Sequence, residues 1–160
     1  MFSINDICNI AIQIEQNGER TYRVAAEKTD DRQLVQMLEW MADEEARHAM
    51  WFKSLAPGSE RLGNHGEIES MGRSLLREMM KDQSFSLEET GLLDVDGILG
   101  LLAQSIEFEQ DTILFYEMLS SFIEEGPTID QLNRVIKEEH GHVEQLERLQ
   151  RIYKGKQNER

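Results

Sequence analysis

The segments Glu44-Glu45-Ala46-Arg47-His48 and Glu138-Glu139-His140-Gly141-His142 lie 94 residues apart in a chain of 160, and each sets a glutamate three positions before a histidine. Three residues advance an α-helix by about 300° and 4.5 Å, so such a pair projects from one face, one turn apart. Working outward, the face of the first pair continues through Leu34, Leu38, Met41, Phe52 and Leu55. That of the second continues through Leu132, Val135, Leu146 and Leu149. Steps of three and four are the period of an amphipathic helix.

The offset of 94 extends beyond these segments. Residues 6–55 laid over 100–149 share nine identities: Ile12, Glu15, Gln16, Tyr22, Leu38, Glu44, Glu45, His48 and Leu55. The matching pairs Glu15/Glu109, Tyr22/Tyr116, Glu45/Glu139 and His48/His142 are mostly groups that a helical core avoids. Two further stripes carry them: Ile7, Ala11, Ile14, Glu15, Gly18, Tyr22 and Ala25, and Leu102, Ile106, Glu109, Ile113, Tyr116 and Leu119.

The expected fold is an all-α, antiparallel four-helix bundle with helices at about 5–28, 31–55, 96–124 and 128–153. Ser3 and Asp6 can cap the first helix, Asp30 precedes the second, and Thr128 with Gln131 reads as a capping box for the fourth. Short turns make two hairpins, joined by a crossover over 56–95 in which Ile68 to Lys81 can form a short extra helix and Ser86 with Glu89 can cap another turn. Residues 1–153 form one domain and 154–160 a frayed polar tail.

Helix arithmetic brings the unusual residues to one level. Glu15 and Glu45 average to position 30, inside the Thr29-Asp30-Asp31 turn, and Glu109 and Glu139 average to 124, at the Glu124-to-Pro127 turn. Four carboxylates and two imidazoles therefore converge in mid-bundle, and each unpaired buried carboxylate costs several kcal/mol. No Lys or Arg shares their stripes at that level, so shared protons or bound cations must neutralise them. Two divalent cations balance four carboxylates and, with one nitrogen each, make a dinuclear site.

Composition excludes several other functions. With 31 acidic and 17 basic side chains, a net charge of −14 disfavours nucleic acid and anionic membrane surfaces as partners. The single cysteine, Cys8, makes no intrachain disulfide and no thiolate metal site; it reads as a small core residue. Met1 to Ile14 has no basic leader and no apolar run approaches a membrane span, so the expected location is cytoplasmic.

A glutamate from each of two helices plus Glu-x-x-His from each of the other two resembles the ferritin-like di-iron and di-manganese carboxylate superfamily. Within it, Glu15-x6-Tyr22, Glu109-x6-Tyr116 and the two Glu-Glu-x-x-His segments resemble the rubrerythrin branch over residues 5–150. The resemblance implies Glu15, Glu45, His48, Glu109, Glu139 and His142 as metal ligands, with Tyr22 and Tyr116 hydrogen-bonded to ligand carboxylates. It implies two iron ions per chain, with manganese as the alternative, and two-electron reduction of hydrogen peroxide. Full-length rubrerythrins also carry a rubredoxin-like tail with Cys-x-x-Cys pairs, which this chain does not contain, so the electron donor is expected to be a separate rubredoxin-like protein. Rubrerythrins use an additional third-helix carboxylate; here Ile106 and Thr112 flank Glu109 at that spacing, Glu107 points elsewhere, and Glu19 is the candidate substitute.

Rival functions use the same ligands: a ferroxidase or iron-binding protein taking dioxygen, a di-manganese catalase-like enzyme, and a non-catalytic metal-dependent interaction bundle. Glu44 and Glu138 read as solvated flank charges and His65 and His140 as surface groups. The methionines read as core filler. The apolar edges of Trp40, Trp51 and the 68–80 segment are expected to serve a homodimer.

Overall fold

Four helices carry the chain in the computed structural model, which describes residues 4–55, 91–121 and 123–159: α1 (Ile4–Glu27), α2 (Arg32–Ser54), α3 (Val95–Ser120) and α4 (Pro127–Asn158). No strand occurs among the described residues, and the all-α bundle of two hairpins is as the periodicity requires. Ser3, His65, the short helix at 68–81 and the cap at Ser86 and Glu89 lie outside the described residues.

The helix ends differ from expectation in instructive ways. Asp31 rather than Asp30 caps α2, its carboxylate accepting from the backbone of Gln33 at 3.0 Å and Leu34 at 3.4 Å. Asp94 caps α3 through the Gly97 amide at 2.8 Å. The Thr128–Gln131 box does not cap α4. That helix begins one residue earlier, at Pro127, with Gly126 as N-cap at φ 153° and no side-chain cap bond. Pro at the first helical position needs no amide partner, and the positive φ suits glycine, so the turn is set without the box.

The largest departure is the C-terminus. The 154–160 segment is not a frayed tail, because α4 continues to Asn158. Tyr153 is buried and its hydroxyl donates to Asp31; Lys156 pairs with the same carboxylate at 3.2 Å, and Gln157 donates to Asp96 at 2.8 Å. These anchors offset the helix-weakening effect of Gly155, about 1 kcal/mol relative to alanine.

The same contacts fix the direction of the helices. The end of α4 meets the start of α2 through Asp31 and the start of α3 through Asp96, while the Leu93 amide donates to the Lys28 carbonyl at 2.8 Å. The end of α1, the starts of α2 and α3 and the end of α4 therefore share one end of the bundle. α1 runs with α4, and α2 runs with α3. Because α2 finishes at the far end from where α3 begins, their connection has to cover a bundle length of about 35 Å.

Two apolar clusters fill the interior. One, toward that shared end, contains Tyr22, Leu34, Leu38, Met41, Leu102, Leu146 and Leu149. The other, toward the opposite end, contains Ala11, Ile14, Phe52, Phe115, Leu119, Leu132 and Val135. The level between them is where the Glu and His residues of the repeat fall.

Candidate metal centre

Glu15 on α1, Glu45 and His48 on α2, Glu109 on α3 and Glu139 and His142 on α4 meet between the two apolar clusters, none more than 1% exposed. Their ligating atoms fall into two groups, each with all atoms within 4.8 Å of one another. One group is Glu15, Glu45, His48 and Glu139; the other is Glu45, Glu109, Glu139 and His142. Glu45 and Glu139 are common to both. All six expected ligands are thus brought together, with one imidazole per group.

Both imidazoles turn Nδ1 inward. His48 Nδ1 lies 2.8 Å from Glu139 and 3.5 Å from Glu15, and His142 Nδ1 lies 2.9 Å from Glu45. Close as these are, they are not aligned as hydrogen bonds. Among the described residues, eight fully buried side-chain atoms lack a partner: both oxygens of Glu45 and of Glu139, Oε2 of Glu15 and of Glu109, and Nδ1 of His48 and of His142. Buried polar atoms without partners are strongly disfavoured, and here every one belongs to the two groups. Carboxylate oxygens with one imidazole nitrogen per group suit a divalent iron or manganese ion, so the residues fit a metal pair.

The remaining oxygens are held from the opposite hairpin. Tyr22 on α1 donates to Glu109 on α3, and Tyr116 on α3 donates to Glu15 on α1 at 2.7 Å. Burial and the surrounding carboxylates push both phenols well above their ordinary range, so each hydroxyl stays protonated and acts as a donor.

A corresponding exchange on α2 and α4 is not evident from helical periodicity alone. His142 Nε2 lies 3.0 Å from Glu44, and His48 Nε2 lies 3.5 Å from Glu138. Glu44 and Glu138 are therefore not simply solvated; they rest on the outer edges of the imidazoles. The signal was their match across the repeat. Contact with His142 holds Glu44 down to about 2. Trp40 packs on His142 edge-to-face, with ring centroids 5.5 Å apart.

Inside the cluster, protons and charge compete. Burial, then the negative charges of Glu109 and Glu15, push Glu139 up to about 8, and burial with Glu109 and Glu139 raises Glu45. Burial opposes a charged His48, but Glu139 and Glu15 outweigh it and push it up to about 10. His142 is raised likewise, against burial, by Glu109. The metal-free cluster therefore holds protons that a metal must displace.

The Rubrerythrin family model matches residues 6–81. Over that first half the chain is similar to rubrerythrins. A ferritin-like diiron-carboxylate protein of Thermotoga maritima shares the fold, with a TM-score of 0.67 and 21% identity over 94% of this chain and 95% of that one. A hypothetical protein of Pyrococcus furiosus has a TM-score of 0.72 and 19% identity over 96% of this chain and 92% of the other. No curated protein matches the sequence. No helix of the described residues is long and apolar enough to cross a membrane.

The fold does not bring Glu19 into the cluster. Glu19 accepts from Arg23 at 2.9 Å, and Arg23 also holds Asp43 at 3.0 Å, so the i,i+4 ion pair keeps that carboxylate at the surface. At the other candidate position, buried Thr112 donates its hydroxyl to the Phe108 carbonyl at 2.9 Å. Glu107 is exposed, as its helical phase requires.

The two glycines beside the cluster have different explanations. A Cβ on Gly18 would sit 2.8 Å from Glu45 Oε2 and 3.4 Å from Phe108, whereas one on Gly141 would meet nothing within 4 Å. Gly18 makes room for the shared carboxylate; nothing in the structure explains Gly141. Gly141→Ala is expected to stabilise the fold by about 1 kcal/mol in denaturant titrations with unchanged metal uptake. Gly18→Ala is expected to weaken metal binding by displacing Glu45. Equal metal affinities in the two variants would contradict this.

Proposed function

We propose that this chain is a di-iron oxidoreductase that reduces hydrogen peroxide to water with electrons from a separate donor. The observation that carries the reading is the pair of ligand groups sharing Glu45 and Glu139, enclosed by apolar clusters and rich in unpartnered ligand atoms. In its reduced form a bound iron pair supplies the two electrons that peroxide requires, and manganese is the alternative occupant.

The protein's own work is to bind and orient. Glu15 and His48 would hold one ion and Glu109 and His142 the other, with Glu45 and Glu139 within reach of both. Tyr22 and Tyr116, protonated at neutral pH, hold one oxygen each of Glu109 and Glu15 and leave the other oxygen facing inward. The apolar clusters exclude bulk water from both ends. Within these 160 residues the single Cys8 cannot build an iron–sulfur centre, so in this reading the electrons enter from a rubredoxin-type donor outside this segment.

A second reading, a ferroxidase using dioxygen, is favoured by Thr112, which puts no carboxylate beside Glu109. Rapid mixing of anaerobic protein loaded with two Fe(II) per chain separates the two. Faster oxidation by peroxide than by dioxygen, reversible on re-reduction, is expected. Preference for dioxygen with release of iron would overturn the peroxidase reading.

A further inference from the structure

The imidazoles of His48 and His142 are held from outside the cluster by carboxylates of the opposite hairpin, and one side chain joins those two carboxylates. Arg47 donates through Nη2 to Glu44 at 2.7 Å and also to Glu138. Glu44 in turn lies on His142 and Glu138 on His48. The repeat makes this arrangement asymmetric, because the counterpart of Arg47 is Gly141, where an added Cβ would meet nothing within 4 Å. A single guanidinium therefore serves both halves.

We propose that Arg47, Glu44 and Glu138 form a positioning set that locks both imidazoles with Nδ1 inward and couples the two ion sites through one point on the surface. A carboxylate accepting from the outer nitrogen fixes the ring orientation and tautomer of a metal-binding histidine and raises its basicity. Here the two carboxylates are themselves held by one guanidinium nitrogen, Nη2, which sets a permanent positive charge between them. The set is graded. His142 lies 3.0 Å from its carboxylate and His48 3.5 Å, so the group containing His142 is the better organised and fills first.

Electrostatics alone predicts the opposite effect of losing Arg47. The chain carries a net charge of −14, so removing a positive charge near a cation site strengthens the general attraction for cations. Positioning predicts weaker binding. The sign of the change therefore separates the two causes.

The inference rests on the cluster binding two divalent ions, and the test keeps the two claims apart. Metal-free protein is titrated with Co(II) against a chromophoric chelator, and the visible spectrum of the bound ion is recorded. Arg47→Gln is expected to lower affinity about tenfold at both steps and to alter the spectrum, and Arg47→Lys to recover part of the loss. Glu44→Gln is expected to weaken the first step by about 10–100-fold, and Glu138→Gln to act mainly on the second. Arg47 is half exposed, with 52% of its side chain accessible, so the metal-free variants should melt close to the unsubstituted protein. Arg148→Gln, which removes the same charge from a different helix, α4, is the control and should leave both steps unchanged or slightly tighter.

Unchanged or stronger binding in Arg47→Gln, with an unchanged spectrum, would overturn the positioning set while leaving the metal site standing. Failure of the unsubstituted chain to bind Co(II) would overturn both. If Arg47→Gln does not fold, the Glu44→Gln and Glu138→Gln pair decides: equal losses at both steps, or none, contradict the grading.

Discussion

Replacing Glu45 by glutamine is expected to remove high-affinity binding of both ions at once, whereas Glu15→Gln removes one. Glu45 belongs to both ligand groups and both its oxygens are buried without partners. Loss of an outer partner of a ligand already costs 10–100-fold in affinity, so loss of a shared ligand should cost more than about 100-fold at each site. Metal-free, the same substitution should act in the reverse direction. Burial first, then Glu109 and Glu139, raise the pKa of Glu45, which means that its charge is disfavoured in the empty cluster. An amide of the same size has no charge to bury and can donate to the neighbouring carboxylates. Metal-free Glu45→Gln should therefore melt above metal-free parent, and metal-loaded variant below metal-loaded parent. Calorimetry with and without metal reads both signs, and a variant that still binds two ions tightly would remove Glu45 from the site.

Metal loading itself should raise the melting temperature, and by more at higher pH. Each ion present at about 1,000 times its dissociation constant adds about 4 kcal/mol. For a chain of this size two ions then raise Tm by roughly 15–30 °C. His48, raised to about 10, gives the metal-free fold stability that is complete below its unfolded value and is lost as pH rises through 10. Glu139, raised to about 8, also binds its proton more tightly folded than unfolded, so its contribution declines between the ordinary carboxylate range and 8. Both slopes have the same sign: the metal-free protein weakens as pH rises. Binding runs the other way, since a metal displaces those protons and gains affinity as they leave. The gap in Tm between loaded and metal-free protein should widen from pH 6 to pH 9, and metal addition in weak buffer should release protons. A gap that narrows would mean that the ions bind elsewhere.

Most of the centre can be read from periodicity because its residues violate periodicity's usual chemistry. Glu15, Glu45, Glu109 and Glu139 stand on stripes that are otherwise mostly apolar, and a charge at a core position announces a partner. Glu44 and Glu138 lack that signal. Each is about 100° from its neighbour, and only the reach of an imidazole across to the opposite helix brings them in. Glu19 shows the converse limit. It follows Glu15 by one turn, but Arg23 one turn further on holds it outside the cluster. The final turns of α4 likewise depend on Asp31 and Asp96, more than 60 residues away in sequence, which no local propensity encodes.

The crossed tyrosine bonds bear on how the molecule assembles. Tyr22 reaches from the first hairpin to Glu109, and Tyr116 from the second to Glu15, and neither hairpin alone satisfies both the phenol and the carboxylate that it carries. Contacts within each hairpin are short-range in sequence and form fast, while these bonds close loops of about a hundred residues and are entropically slow. Hairpins accordingly precede docking, and docking is the step that strips water from four carboxylates. A metal ion arriving then would act as a template for the last stage of folding as well as a cofactor of the finished protein.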